Sequence, residues 1–417
     1  MRWFAVLLLL ASSLAGDGIS RDEYRTRRAE LRKSLDGVLI LFGANEPEDF
    51  HQGFFQETNF LYLTGWDEPG AALMITPREE VFFLPARNPR TEIFTGRKLG
   101  PEDDNTRERT GFDKVLPFSA LETQFLRLME ASGSIYTLPS DAQAQKLKRL
   151  APFHQDESAA KAIGTLRMNK SPAEIDLISK STDATVAAHL AAWKKMKPGL
   201  REYEIAATMT NTYFELGCER SAYAPIVGSG PNSVVLHYSA NRRRMDSGEV
   251  VVMDVGAECS GYASDVTRTV PVSGKFTARQ REIYEIVLGA QKAAIAAVKP
   301  GAKIRGQGKS LYQIAYDYIN THGKDLHGEP LGKYFVHGLS HHVGLDVHDE
   351  SDIDAPLKAG MVITIEPGIY IAEENIGVRI EDMVLVTENG PRVLSGTLPR
   401  EPQEIERIVG STSGRRP

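Results

Sequence analysis

Two apolar, β-prone runs in the second half of the chain each end on a single carboxylate, and this limits the possible folds more than any other feature. Val250-Val251-Val252-Met253-Asp254-Val255 reads as a buried strand, yet Asp254 is an acid where an apolar residue is expected. Val362-Ile363-Thr364-Ile365 runs into Glu366 and is then broken by Pro367-Gly368. A buried acid must be paired, protonated or bound to a cation, so the fold has to bring a partner to each of these strand ends.

Other segments carry further candidates. Eleven residues after Asp254, Asp265 lies in a second β-prone stretch, Ala263 to Thr269, and Glu258-Cys259-Ser260-Gly261 between them has the composition of a hairpin turn. Two carboxylates on paired strands would face one cavity; the plain alternative is an ion pair between Asp265 and Arg268. His337, His341, His342 and His348 fall within twelve positions, interleaved with glycines that favour a loop or a bent strand. Such a cluster points to metal ligation, proton transfer or oxyanion binding. Gly377-Val378-Arg379-Ile380-Glu381-Asp382 places Arg379 and Glu381 two apart on one strand face. By itself that is an ordinary ion pair. Together, Asp254, Asp265, Glu366 and Glu381 with a histidine form a carboxylate-rich set. It suits two divalent ions, manganese above cobalt or zinc, better than one zinc.

At 417 residues the chain is too long for one ordinary core, so two domains are expected. Residues 20–158 mix strands, including Val38–Phe42 and Val81–Leu84, with helical segments, which predicts a small α/β domain. The run Asn59–Trp66 reads as a further strand ending at a glycine turn. Ser171-Pro172-Ala173-Glu174 is a capping box with proline at the first helical position, so a helix starts there and the boundary lies near residue 160. Over residues 160–410, Lys197-Pro198-Gly199 and Lys299-Pro300-Gly301 each follow an alanine-rich helical stretch and precede another. Two copies of helix–helix–strands would give a pseudo-two-fold α/β unit with its site between the halves.

A formal net charge of −6 and a pI near 6.0 give no reason to expect nucleic acid as a ligand. Arg2, the apolar run Trp3–Ala11 and Ser13-Leu14-Ala15 read as a secretory leader cut after Ala15. The run is too short to span a bilayer, and the mature chain is expected to be secreted or periplasmic with no membrane partner. Cys218 and Cys259 are the only cysteines; they could pair, but sequence does not give their distance, and both are expected to be packed thiols.

In these segments the chain resembles the pita-bread metallopeptidases, and among them the Xaa-Pro aminopeptidases. The resemblance rests on Leu236-His237-Tyr238, the spacing His337-x3-His341-x6-His348, Glu366-Pro-Gly and Arg379-Ile-Glu381-Asp382. It covers roughly residues 160 to 400, and Phe54–Gly65 extends it to the family's smaller amino-terminal domain. It implies that Asp254, Asp265, His341, Glu366 and Glu381 hold two metals, with Asp265 and Glu381 bridging. It further implies attack by a metal-activated water on the bond before a proline at position two of a peptide. Glu366 would act as proton shuttle and His237 and His348 at the carbonyl, with His337 on the proline side and Arg379 and Tyr370 supporting them. A homo-oligomer is expected. A prolidase restricted to dipeptides, a methionine aminopeptidase and a non-catalytic peptide-binding scaffold are the rival readings.

Overall fold

The computed structural model describes residues 18–47, 53–306 and 308–411. The leader expected over residues 1–15 lies outside them. No helix among the described residues is long and apolar enough to cross a membrane.

The first domain is built on one mixed sheet. Its strands are β1 (Val38–Phe42), β2 (Ala72–Ile75), β3 (Glu80–Leu84), β4 (Val115–Pro117), β5 (Ser134–Thr137) and β6 (Gln155–Ser158), in the order β4-β3-β2-β1-β5-β6. β1 is buried along its whole length because both faces are covered. Leu39 and Leu41 join one core, while Val38, Ile40 and Phe42 join a second, separate one. The first of these cores is continuous with that of the second domain, so the two domains share apolar packing.

Asn59–Trp66 is not a strand. Thr58–Thr64 is a helix, capped at its start by the Glu57 side chain accepting from the Phe60 amide and stopped by Gly65 at φ 62°. The β-prone composition yields to the two caps and to burial of Phe60 and Leu63 on one helical face.

The second domain opens with the helix Pro172–Lys195, and both halves of the capping box at Ser171 form. It packs on Glu202–Glu215, as Ala278–Ala296 later packs on Leu311–His322. Each helix pair is followed by a three-stranded antiparallel sheet. The first joins β8 (Ile226–Ser229), β9 (Val250–Val255) and β12 (Val266–Pro271) in the order β12-β9-β8. The second joins β13 (Val362–Ile365), β16 (Asp382–Thr387) and β17 (Gly390–Val393) in the order β13-β16-β17. The halves meet where the Glu381 amide donates to the Thr267 carbonyl, 3.0 Å, and Arg268 Nη1 donates to the Glu381 carbonyl, 2.6 Å. A hairpin of β14 (Gly368–Ile371) and β15 (Ile376–Arg379) closes one side. On the other, β10 (Ala257–Cys259) pairs with β7 (Arg220–Ser221) and with β11 (Tyr262–Ala263). The turn between β10 and β11 is Ser260-Gly261, both at positive φ, as a two-residue hairpin requires.

Cys218 and Cys259 are not free thiols. They form a disulfide with Cα atoms 4.3 Å apart. Pairing of β7 with β10 brings together two residues separated by 41 positions, a proximity that local sequence does not encode.

His189, on the Pro172–Lys195 helix, lies fully buried behind β12 with Nε2 3.0 Å from the Val266 carbonyl. That contact places the proton on Nε2, and burial pushes the imidazole pKa down to about 3. Between the unfolded value near 6.5 and the folded value the unfolded chain binds a proton that the folded chain refuses. Stability from this group is therefore complete above about pH 6.5 and falls as the pH drops toward the folded value. Urea unfolding at pH 7 and pH 4.5 is expected to show a smaller loss for His189→Leu than for the wild type; equal losses would remove His189 from the acid response.

Candidate metal centre

The carboxylates reach one buried cleft from both halves. Asp254 lies near the end of β9, and Asp265 immediately precedes β12. Pairing of Val255 with Val266 sets them side by side. Glu366 follows β13, and Glu381 stands between β15 and β16. The loop carrying His341 runs along β13: the Thr364 amide donates to the His341 carbonyl, 2.9 Å, and the Glu366 amide to the Leu339 carbonyl, 2.9 Å. This backbone pairing, not sequence proximity, brings His341 to Glu366.

Three groups of ligand atoms result, each with all members within 4.8 Å of one another: Asp254, Asp265 and Glu381; His341, Glu366 and Glu381; and Asp265, His341 and His348. Glu381 belongs to the first two, and Asp265 to the first and third. The structure thus brings all five expected ligands together and adds His348 at the edge of the set. His342 is turned away and buried, with Nδ1 unpartnered.

Electrostatics and proton positions fit cations here. Burial, reinforced by Asp265, Glu366 and Asp254, raises the Glu381 carboxyl well above the usual range. Burial and the neighbouring Asp265 push Glu366 up to about 7 against the pull of His341. Burial also raises Asp254, which Arg379 partly offsets. At Asp265 burial acts upward too, but the hydrogen bond and charge of His341 outweigh it and the pKa falls. His341 Nδ1 lies 3.1 Å from the His342 carbonyl and must carry a proton to donate to it. Nε2 is then the free ring nitrogen, 3.3 Å from Asp265 and 3.7 Å from Glu366. A lone pair facing two carboxylates calls for a positive charge between them, so without a metal the pKa of His341 rises, against burial, to about 9. The donor set of four carboxylates and one imidazole nitrogen matches that of hard or borderline divalent ions.

A second set of residues orients the ligands. Arg379 Nη2 donates to Asp254 at 2.5 Å, and Nη1 donates to the Tyr370 hydroxyl at 2.7 Å. That hydroxyl lies 2.8 Å from His337 Nε2, whose Nδ1 faces the Gly338 carbonyl at 2.7 Å. The chain Arg379–Tyr370–His337 is therefore directional: His337 accepts from Tyr370, and burial with the nearby Arg379 holds its pKa down at about 4. Thr267 donates to Glu381 at 2.6 Å. The two plain alternatives do not form. Arg268 pairs with Asp382 at 2.7 Å rather than with Asp265, and Arg379 pairs with Asp254 rather than Glu381.

Sequence reasoning missed Tyr223. Its hydroxyl lies 2.5 Å from both Asp254 Oδ1 and Asp265 Oδ1. One hydroxyl proton cannot serve two carboxylates, so one of the two carboxyls must carry a proton or face a cation. Tyr223 sits in a turn between β7 and β8 with no motif to mark it. A cavity of about 290 Å³ opens over the cluster, lined by Tyr223, Ala224, Ile226, His237, Ser239, Asp254, Asp265, Val347 and His348. His237 and His348 stand at its exposed rim.

Residues 176–388 match metallopeptidase family M24, and residues 24–136 match the aminopeptidase P amino-terminal domain. The chain is 33% identical to Xaa-Pro aminopeptidase of Escherichia coli, over 94% of its own length and 98% of that protein's. It is 32% identical to human Xaa-Pro aminopeptidase 3, over 95% of its own length and 87% of the relative's. Aminopeptidase P of E. coli with the inhibitor Pro-Leu superposes with a TM-score of 0.85 at 30% identity, covering 95% of this chain and 100% of that one. A zinc-substituted form of the same enzyme with product gives 0.84 at 30% identity, covering 96% and 100%. With a site fit for metals, two matched domains and relatives aligned almost end to end, this chain belongs to metallopeptidase family M24, in its branch with an aminopeptidase P amino-terminal domain.

Proposed function

We propose that the chain is a metal-dependent aminopeptidase that hydrolyses the Xaa-Pro bond and releases the first residue of peptides with proline at position two. The observation that carries this reading is the buried convergence of Asp254, Asp265, His341, Glu366 and Glu381 in a chain whose near-full-length relatives are Xaa-Pro aminopeptidases. These relatives favour this activity over a dipeptide-only prolidase.

Those five residues would hold two divalent ions, manganese by preference. When bound, they supply Lewis acidity and a water of lowered pKa. Glu366 takes a proton and passes it to the leaving proline nitrogen, acting first as general base and then as general acid. His237 and His348, at the rim of the cavity, bind the carbonyl oxygen and the charge that develops on it. Neutral His337 packs on the proline side, and Arg379 and Tyr370 keep Asp254 and His337 in register. Because a proline nitrogen carries no hydrogen, recognition from the carbonyl side removes the need for an N–H contact at the cleaved bond.

The two matched families fall within residues 20–158 and 160–410, which we take as the amino-terminal and catalytic domains. A homo-oligomer is part of this reading. The leader over residues 1–15 supports export to the periplasm or the medium, and amino-terminal sequencing of the exported protein is expected to begin at Gly16; retention of residues 1–15 would refute it.

Manganese-loaded protein is expected to release the first residue of an Xaa-Pro-Yaa tripeptide, and failure to do so would sink the assignment. Glu366→Gln keeps an oxygen donor but loses the shuttle, so kcat should fall at least ~100-fold; near-normal turnover of metal-loaded variant would exclude Glu366 from proton transfer. Tyr223→Phe removes the hydroxyl shared by Asp254 and Asp265, and metal titration should show affinity lowered roughly 10–100-fold.

A further inference from the structure

A second cluster of buried charge lies beneath the loop that carries His341 and His348. Arg167 Nη2 pairs with Asp349 at 2.5 Å and with Asp346 at 2.7 Å, and Lys170 pairs with the other Asp349 oxygen at 2.9 Å. The side chains of Arg167, Lys170 and Asp349 are each 1% exposed. Two cations and two carboxylates make the group neutral. Arg167 also donates from Nη1 to Asn59 Oδ1 at 2.8 Å, and the Thr58 hydroxyl donates to Asp346 at 2.9 Å. Thr58 and Asn59 open the helix Thr58–Thr64 of the amino-terminal domain. The cluster thus ties three parts of the chain together: that domain, the segment joining the two domains, and the histidine loop.

Stability need not be its role. A buried ion-pair group is often replaceable by well-packed apolar side chains with no loss of stability. What this one does is fix a place. The Asp349 amide donates to the His342 carbonyl at 2.9 Å, closing the neck of the loop, and the Ala263 amide donates to the Gly344 carbonyl at 2.8 Å, two residues before Asp265. His348, the residue before Asp349, has no side-chain hydrogen bond among the described residues; its ring lies 4.2 Å from that of His341 and is otherwise exposed. An imidazole without a side-chain hydrogen bond is held chiefly through its backbone, and here the backbone is anchored by Asp349.

We infer that Arg167 and Lys170 are positioning residues for hydrolysis: through Asp349 they hold His348 over the metal-ligand cluster, and Thr58 and Asn59 complete the clamp when the amino-terminal domain is docked. The inference rests on the proposed contact of His348 with substrate. Through Thr58 and Asn59 the amino-terminal domain then contributes to catalysis.

The test is a double-mutant cycle on Xaa-Pro-Yaa cleavage by the full chain, with amide hydrogen exchange of residues 341–349 measured in parallel on metal-free protein. Asp349→Asn is expected to lower kcat by roughly 10–100-fold with little change in KM, and to add no further loss in a His348→Ala background. A loss of equal size in both backgrounds would overturn the clamp. Asn59→Ala leaves all four charges paired and serves if Asp349→Asn does not fold. It is expected to speed exchange at 341–349 and to lower kcat only when His348 is present; unchanged exchange would overturn the proposal. If the wild type cleaves no Xaa-Pro peptide, the proposed function fails while the exchange measurement still decides whether the cluster holds the loop.

Discussion

Mutual repulsion among carboxylates in a buried cleft is the constraint on which the rest of this structure depends. Asp254, Asp265 and Glu381 are each less than 10% exposed and bring oxygens within 4.8 Å of one another. Uncompensated, such a group must take up protons, and Glu381 is driven far in that direction. Compensation from the protein is partial: Arg379 serves Asp254, while Thr267 and Tyr223 offer hydroxyls. The unmet balance is what bound metal cations would supply, and the cleft is built around that deficit.

The fold meets this demand by duplication. Two helix pairs with their three-stranded sheets deliver acids from strand ends on opposite sides, and the bonds of Glu381 to Thr267 and Arg268 lock the halves together at the site itself. Supporting residues are not spare polar groups. Arg379 links Asp254, the Tyr370–His337 pair and, through the Leu236 carbonyl at 3.3 Å, the loop that carries His237. A single guanidinium thereby orders Asp254, the Tyr370–His337 pair and the loop of His237. Its planar fork of donors makes this possible; a lysine ammonium lacks the geometry.

Much of the site was legible because its chemistry conflicts with its surroundings in the chain. An acid in Val250–Val255 or at the end of Val362–Ile365 breaks a local pattern, and the break is visible without a fold. The capping box at Ser171 was legible for the same local reason. Tyr223 breaks no pattern: a tyrosine in a turn is unremarkable until β7 and β8 place it over two aspartates. The helix at Thr58–Thr64 was misread because its apolar run is short and helix and strand differ there only by caps that Glu57 and Gly65 supply. The pairing of Cys218 with Cys259 depended on strand register 41 residues apart.

By itself the sequence determined which residue types were available, the strand and helix segments with strong periodicity or caps, and the family whose ligand spacing it carries. These are local properties, set by side-chain chemistry and by neighbours a few positions away. Only the tertiary structure decided which atoms face one another. It chose Asp382 over Asp265 as the partner of Arg268, freed Nε2 of His341 by committing Nδ1 to a carbonyl, and buried Arg167 and Lys170 under the histidine loop. Those outcomes depend on distances between segments that lie far apart in the chain, and electrostatic and hydrogen-bond energies are steep functions of distance.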